Sequence, residues 1–192
     1  MKLSVELLEQ KLRLALIDNP VPQFAHELRP RPAAVLIPFV HVHDVWHLLF
    51  TKRTNGLAKH QGEISFPGGA AEAADRDLIE TAVRETCEEI GIPESKIKIL
   101  GVLDPVPTVS NYCVLPVVSI VEWPQMLEIN HDEVENILLI PVEWLKTDGN
   151  WYEDDFFYEP GKSKKVIHYR DFEGEHLWGI TARLALAAIS YI

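Results

Sequence analysis

A short segment that follows a pair of glycines constrains this chain more than any other stretch. It runs from Arg84 to Gly91, reads RETCEEIG and is typical of a helix. With 3.6 residues per turn, Glu85, Glu88 and Glu89 are related by i, i+3 and i+4 and share one arc of the helix surface. Like charges at this spacing repel each other by roughly 0.2–0.5 kcal/mol per pair. A Mg²⁺ ion removes that penalty, because it binds carboxylate oxygens and bridges them to phosphates.

The flanking residues favour a ligand site over the alternative, a solvated acidic face. Asp77 and Glu80 resemble a capping box and predict a helix that begins near Asp77. Gly91 is suited to the position just past the helix end, and Pro93 prevents continuation. One side of the helix is apolar at helical spacing and should be buried. It comprises Ile79, Val83, Thr86 and Ile90, with Ala82 and Cys87 at its margins.

A tight turn precedes this helix. In Phe66-Pro67-Gly68-Gly69, the paired glycines allow the main chain to approach a ligand closely. A strand, a glycine-rich loop and an acidic helix in this order predict a site for a metal and a phosphate. The loop before this helix lacks the Gly-Lys-Ser/Thr sequence of a P-loop, which excludes that class of phosphate site at this loop.

With these features the chain resembles the Nudix hydrolase family. The family motif is Gly, five residues, Glu, seven residues, then Arg-Glu-apolar-x-Glu-Glu-x-Gly-apolar. Residues 84–92 match its second half, with Thr86 where an aliphatic residue is usual. The first half departs, because Asp75 replaces the first Glu and eight residues, not seven, separate it from Arg84. We therefore expect Asp75 in the loop that enters the helix, paired with a loop N–H or an arginine and outside the metal ligands.

The longer spacing is a feature of one subgroup, the coenzyme A pyrophosphatase-like Nudix proteins. That subgroup also has an upstream signature, approximately Leu-Leu-Thr-x-Arg-Ser, x-x-Leu-Arg, three residues, Gly, three residues and Phe-Pro-Gly-Gly. Residues 49–69 keep this spacing throughout and depart at Phe50, Thr54 and Ala58. Ala58 replaces an arginine that faces the substrate in the subgroup. Either the two residues that follow it compensate, or the substrate differs.

The resemblance implies a divalent-metal site. Mg²⁺ or Mn²⁺ would be held by Glu85 and Glu89, with help from Glu88 and the main-chain carbonyl of Gly69. The ion would screen the diphosphate oxygens and acidify a bound water. Glu85, or Glu133 on a loop over the metal, would orient or deprotonate that water. An ordinary surface loop is the alternative for Glu133.

The same resemblance implies orienting or substrate-binding roles for other residues of the two motifs. Arg84 would keep the neighbouring carboxylates ionised and correctly turned, and Gly68 would shape the loop. Arg53, Lys59 and His60 would bind the substrate, and a solvated loop explains His60 equally well.

Three functional hypotheses follow. The first is a coenzyme A pyrophosphatase that releases 3′,5′-ADP and phosphopantetheine. The second is a Nudix hydrolase for another nucleoside diphosphate derivative such as ADP-ribose, which the Ala58 departure favours. The third is a catalytically silent domain that senses a nucleotide. Retention of Glu85, Glu88 and Glu89 together argues against the third.

Charge and composition limit the partners. The chain has 192 residues, 18 basic and 29 acidic side chains and a net charge of −11, which disfavours general binding to nucleic acid. A local patch of Lys52, Arg53 and Lys59 is still suited to an anionic small molecule. Two cysteines outside any metal-ligand spacing, and no apolar run of membrane length, fit a reducing cytoplasm and no membrane partner. A homodimer is compatible with this sequence.

The remaining elements predict an α/β protein. We expect an N-terminal helix and Pro-rich connector over residues 1–32, packed on a Nudix domain over 33–192. Strands are predicted at 33–40, 46–52, 97–103, 112–121 and 135–140 and on both sides of Gly161, with helices at 141–146 and from about 179. The resemblance implies an α/β/α sandwich with a mixed sheet.

Several other residues have alternative interpretations. His41, His43 and His47 are best explained as exposed residues of a polar hairpin, which turns at His43-Asp44. They are not best explained as a metal site. The run Glu153-Asp154-Asp155 predicts a solvated loop. Tyr112 and Trp178 could stack on an adenine or belong to the core.

Overall fold

A computed structural model describes residues 4–16, 30–54, 62–159 and 162–192. Within these ranges the helices are α1 (Val5–Leu16), α2 (Leu78–Ile90), α3 (Val142–Lys146) and α4 (Gly179–Ile189), with a 3₁₀ turn at Glu94–Lys96. The strands in the same ranges are β1 (Arg31–Val42), β2 (Val45–Arg53), β3 (Ile64–Ser65), β4 (Gly68–Ala70), β5 (Ile97–Val102), β6 (Val106–Pro107), β7 (Tyr112–Val121), β8 (Val134–Pro141), β9 (Trp151–Glu159) and β10 (Lys162–Tyr169).

Strand β1 is the centre of a mixed sheet. It runs parallel to β7, from the pair Arg31–Tyr112 to the pair Val40–Val121. On its other edge it pairs antiparallel with β2 at one end and with β4 at the other. β7 also pairs with β5 and β6, and β2 also pairs with β3 and β8. The predicted α/β class with a mixed sheet is confirmed.

The two faces of the sheet bury different helices. Ala34 and Leu36 of β1 pack with Leu78 and Ala82 of α2 on one face. The alternate residues Ile37 and Phe39 belong to a larger core on the other face. That core contains residues of α1 and α4, so helices cover both faces. Alternation of side chains along β1 therefore produces the predicted sandwich.

The ends of α2 follow the predicted capping chemistry. Oδ1 of Asp77 accepts a hydrogen bond from the Glu80 amide at 2.9 Å. The return bond differs from a full capping box, because the Glu80 carboxylate accepts from the amide of Arg76, not from Asp77. At the other end Gly91 adopts a left-handed φ of 70° and donates to the Cys87 carbonyl.

The buried side of α2 is rotated from the predicted one. Leu78, Ala82, Thr86 and Ile90 form the buried i, i+4 row, whereas Ile79 and Val83 are only partly buried. Thr86 fits into this apolar row because its hydroxyl donates to the Ala82 carbonyl at 2.7 Å. The rotation also buries Glu89, a position that the apolar pattern did not select.

Helix α1 docks through three leucines. Leu8, Leu12 and Leu16 are spaced by four residues and are buried in the larger core. Gly101 of β5 lies against Leu16, and a Cβ on this glycine would overlap the leucine side chain. The division at residues 32 and 33 stays a prediction.

The acidic run at 153–155 was assigned incorrectly. These residues belong to β9, which forms an antiparallel hairpin with β10. Asp155 faces Lys165 across the hairpin, with Nζ and Oδ2 separated by 3.1 Å. Such cross-strand charge pairing makes an acidic sequence compatible with a strand. The predicted turn at His43-Asp44 is confirmed, since both residues have positive φ between β1 and β2.

The helices α1 to α4 are all short. In the part of the chain that the structure describes, none is long and apolar enough to cross a membrane.

Candidate active site

The two loop glycines hold the acidic helix against the sheet. A Cβ on Gly69 would overlap the carboxylate of Glu85, so a larger residue here would displace that side chain. Gly68 has a φ of 154°, and a Cβ there would overlap the Ala34 carbonyl. The amide of Gly68 donates to the carboxylate of Glu89. β4 and the acidic side of α2 are therefore in direct contact, as the order of loop and helix predicts.

Glu89 is the most buried of the predicted ligands. Its exposed fraction is 3%, and among the described residues its Oε2 atom has no hydrogen-bond partner. Burial raises the pKa of this carboxyl to about 8, and the charge of Arg53 opposes the rise. The charges of Glu85 and Glu133 contribute to this rise, and the hydrogen bond from Gly68 also opposes it. A divalent cation beside these groups would favour their ionised forms instead.

Glu133 approaches the helix through a hydrogen-bonded loop. The amide of Asn130 donates to the Glu89 carbonyl at 2.9 Å, and the amide of Thr54 donates to the Glu133 carbonyl at 2.9 Å. The Asn130 side chain donates to the Glu133 carboxylate at 3.4 Å. Burial also raises the pKa of Glu85, and both Glu88 and Glu133 add to this. These couplings place Glu85, Glu89 and Glu133 in one electrostatic cluster.

The ligand set is close together but is not arranged as a closed cage. Across the described ranges, no three Asp, Glu, His or Cys side chains stand ready to enclose a cation. Glu85 is ion-paired with Arg84 at 3.0 Å, and the side chain of Glu88 is 58% exposed. The donor chemistry nevertheless fits a hard divalent ion, because a buried carboxylate oxygen without a partner lies among further carboxylates. The individual metal-binding and catalytic roles stay predictions.

Arg84 connects the loop, the strand and the helix. Its Nε donates to Asp75 at 2.9 Å, and one terminal nitrogen donates to the Ala70 carbonyl at 3.2 Å. The other terminal nitrogen lies 3.0 Å from both Glu85 and Glu88. Hydrogen bonding to Asp75 raises the pKa of the guanidinium, which keeps it charged. This geometry fits the orienting role that the resemblance implies.

Asp75 lies in the loop before α2, as expected. It accepts hydrogen bonds from Arg84, from the Glu72 amide at 2.9 Å and from the Thr81 hydroxyl at 2.8 Å. Burial alone would raise the pKa of Asp75, but these hydrogen bonds outweigh it and lower the pKa to about 2. Its contacts are structural, and its carboxylate points to Arg84.

The predicted substrate residues divide into three outcomes. Arg53 borders a cavity of about 660 Å³, and its buried Nε has no hydrogen-bond partner in the part of the chain that the structure describes. Lys59 and His60 lie outside the described residues. Lys52 was wrongly grouped in the basic patch, because its Nζ lies 2.8 Å from Glu175 and 3.2 Å from Glu135.

The cavity contains residues that sequence reasoning missed. Arg53 lies at one side, Lys164 and Lys165 come from β10, and Arg183 comes from α4. Trp178 borders the same cavity, whereas Tyr112 packs under Arg31, with its ring centroid 5.2 Å from the guanidinium carbon. No local motif marks these cations.

Asp75→Asn should destabilise the fold by about 1–3 kcal/mol, since it removes a charged acceptor from the Arg84 network. The folded pKa lies below the usual 3.8, so the carboxylate stabilises the fold above that pH. The stabilisation is lost as the pH falls towards about 2, and the deficit of the variant should shrink in that interval. Urea unfolding at several pH values measures this.

Asp148→Asn is the matched control, because Asp148 is exposed. The control should change neither stability nor the Mg²⁺ requirement. A large rise in the Mg²⁺ requirement of Asp75→Asn would contradict the structural assignment and make Asp75 a metal ligand.

Comparison with known proteins agrees with this site. The NUDIX domain family matches residues 30–159. A protein of Pectobacterium atrosepticum called "Uncharacterized Nudix hydrolase NudL" is 36% identical over 166 residues, which are 84% of this chain and 85% of that protein. A protein of the same name from Salmonella paratyphi B is 38% identical over 164 residues, or 85% and 84% of the two chains.

Solved structures share the fold. A MutT/nudix family protein from Enterococcus faecalis superposes with a TM-score of 0.54 at 13% identity, over 96% of this chain and 73% of the other. The Nudix hydrolase RenU from M. smegmatis gives a TM-score of 0.51 at 16% identity, over 60% and 73%. The glycine loop, the acidic helix and these matches together establish that the chain belongs to the Nudix hydrolase family and is a pyrophosphohydrolase.

Proposed function

We propose that the protein hydrolyses the diphosphate bond of coenzyme A or its derivatives with Mg²⁺ or Mn²⁺. The products are 3′,5′-ADP and phosphopantetheine or its acylated form. One observation carries the proposal: the partnerless, buried oxygen of Glu89 lies beside Glu85 and Glu133, and Arg53 joins this cluster to a cavity. A metal-binding cluster and a space for an organic substrate are thus adjacent.

The chemistry is the transfer of a phosphoryl group to water. Water attacks one phosphorus, its P–O bond to the bridging oxygen breaks, and the second phosphate leaves. A divalent cation held by Glu85, Glu88, Glu89 and the Gly69 carbonyl would neutralise the diphosphate oxygens and acidify the water. Glu85 or Glu133 takes the proton of that water. Arg84 fixes the orientation of Glu85 through their 3.0 Å ion pair.

Local charge supports an anionic substrate. The protein carries a net charge of −11, yet the described residues that border the cavity include four cations and two carboxylates. The cations are Arg53, Lys164, Lys165 and Arg183, and the carboxylates are Glu63 and Glu153. Phosphate groups are attracted to such a concentration of positive charge on an otherwise negative surface.

The spacing of residues 49–69 supports coenzyme A, since the upstream signature is kept at every interval. One departure favours a second candidate, a Nudix hydrolase of another nucleoside diphosphate derivative such as ADP-ribose. Ala58 stands where the subgroup has a substrate-facing arginine. A small-molecule nucleotide is the proposed partner in both cases.

Glu89→Gln should lower kcat by roughly 100-fold or more, because even residues that only orient metal ligands change activity by about 10–100-fold. The amide keeps the shape of the side chain and removes the negative charge. Glu143→Gln, at an exposed position of α3, is the isosteric control and should retain activity. Turnover is measured at saturating Mg²⁺ and Mn²⁺. Near wild-type turnover of Glu89→Gln would show that the metal is held elsewhere.

The substrate assignment is tested with coenzyme A, 3′-dephospho-coenzyme A and ADP-ribose. Coenzyme A should have the highest kcat/KM, by about tenfold or more, since one charge-assisted contact to the 3′-phosphate contributes about 1.5–3 kcal/mol. Arg53→Ala should lower kcat/KM for all three, because Arg53 lies beside Glu89. Arg13→Ala, on α1 and away from the cavity, is the control. Equal rates, or preference for ADP-ribose, would overturn the coenzyme A assignment and leave the Nudix assignment intact.

A further inference from the structure

The cavity is deep enough to hold more than a diphosphate. Its volume of about 660 Å³ lies in the range of sites that enclose drug-sized ligands. Arg53 and Ser65 border it on the side of the central sheet. The β9–β10 hairpin and the start of α4 form another part of its wall. Residues on that side belong to no part of the Nudix motif, and the mechanism leaves them without a role.

Trp178 is held firmly at this side of the cavity. Its ring stacks on His168, with centroids 5.7 Å apart and an interplanar angle of 16°. His168 is hydrogen-bonded to His176 at 3.2 Å, and His176 is bonded to Asp171 at 3.0 Å. A β-bridge joins the main chains of His168 and Trp178. Because one face of the indole is supported in this way, the ring needs little ordering when a ligand arrives.

A second ring and two cations stand beside Trp178. Phe156 borders the cavity with its centroid 6.4 Å from that of Trp178, and Lys164 Nζ lies 5.9 Å from the Phe156 centroid. Lys165 forms an ion pair with Asp155. Among the described residues, neither Lys164 nor Arg183 has a carboxylate within ion-pair distance. Their charges are therefore available to a ligand in the cavity.

The combination of rings and cations selects one half of the substrate. Nucleobases stack on aromatic side chains, and lysine and arginine bind phosphate oxygens. A pantetheine chain is uncharged beyond its phosphate and has no planar ring, so it would use neither group. Helix α4 begins at the same wall, and its first-turn N–H groups add positive potential there.

We propose that this wall is the subsite for the nucleoside phosphate half of the substrate. Trp178 and Phe156 contact the base, and Lys164 and Arg183 bind a phosphate monoester on the ribose. The proposal rests on the proposed function for the choice of ligand, and its geometry is independent of the metal cluster. Trp178 and Lys164 are then specificity-determining residues for a nucleotide that carries a phosphate outside the diphosphate.

The test is calorimetric titration of the intact protein with 3′,5′-ADP and with AMP, in the presence of EDTA so that no hydrolysis or metal bridging contributes. Wild type should bind 3′,5′-ADP about tenfold or more tightly than AMP. Lys164→Met should remove that difference, and Trp178→Leu should weaken both ligands by about tenfold or more. Trp178→Phe should restore most of the binding.

Two matched variants separate the subsite from general packing. Tyr152→Leu removes another ring that stacks on His168, at 5.5 Å, but does not border the cavity. Lys98→Met removes an exposed lysine from β5. Both should bind 3′,5′-ADP as wild type does. The Lys164→Met result keeps the proposal testable even where Trp178→Leu fails to fold.

The outcomes distinguish the subsite from the proposed function. Loss of 3′,5′-ADP binding in Trp178→Leu and Lys164→Met supports the subsite, even where the wild type fails to hydrolyse coenzyme A and the proposed function falls. Unchanged binding in both variants overturns the subsite, and continued hydrolysis of coenzyme A would then leave the proposed function standing. With activity present, KM for coenzyme A should rise in Lys164→Met while kcat is retained.

Discussion

The site depends on one guanidinium group. Arg84 contacts Asp75 in the entry loop, the Ala70 carbonyl on β4 and two carboxylates of its own helix. Without this charge, Glu85 and Glu88 would lose the ion-pair partner that offsets their mutual repulsion. The guanidinium remains protonated throughout the accessible pH range, so its positive charge is always present beside these carboxylates. It fixes the distance between the glycine loop and α2 before any metal or substrate binds.

The three helix carboxylates are unequal because the helix is rotated. Glu88 is largely exposed, Glu85 is shared with Arg84, and Glu89 is buried beneath the sheet loop. Burial of an ionised carboxylate without a partner is unfavourable. For this reason the pKa of Glu89 is raised to about 8. Such a site favours the binding of a cation, since the positive charge of the ion offsets the negative charge of the buried carboxylate.

Local signals made α2 and much of the sheet predictable. The Asp77 cap and the Gly91 end depend on neighbouring residues only, and β7 coincides with the predicted range 112–121. The direction in which α2 faces the sheet was wrong, because Leu78 and Ala82 meet β1 through tertiary packing that the apolar pattern alone does not specify. Asp75 was placed correctly because an altered spacing moved it off the ligand row.

Long-range charge pairing was beyond the sequence. Lys52 lies inside the upstream signature, but its side chain is hydrogen-bonded to Glu175, which is 123 residues further along the chain. Asp155 belongs to an acidic run, and its ion-pair partner Lys165 lies next to it only because β10 folds back on β9. The cavity cations on β10 and α4 share no motif with Arg53 and converge only in three dimensions.

The central claim is that the acidic side of α2 binds the catalytic metal. Crystals soaked in Mn²⁺ and measured by anomalous diffraction test it most directly. The account predicts manganese peaks between the carboxylates of Glu85 and Glu89 and the carbonyl of Gly69. Manganese found only at exposed carboxylates such as Glu88, or at a site without Glu89, would contradict the account.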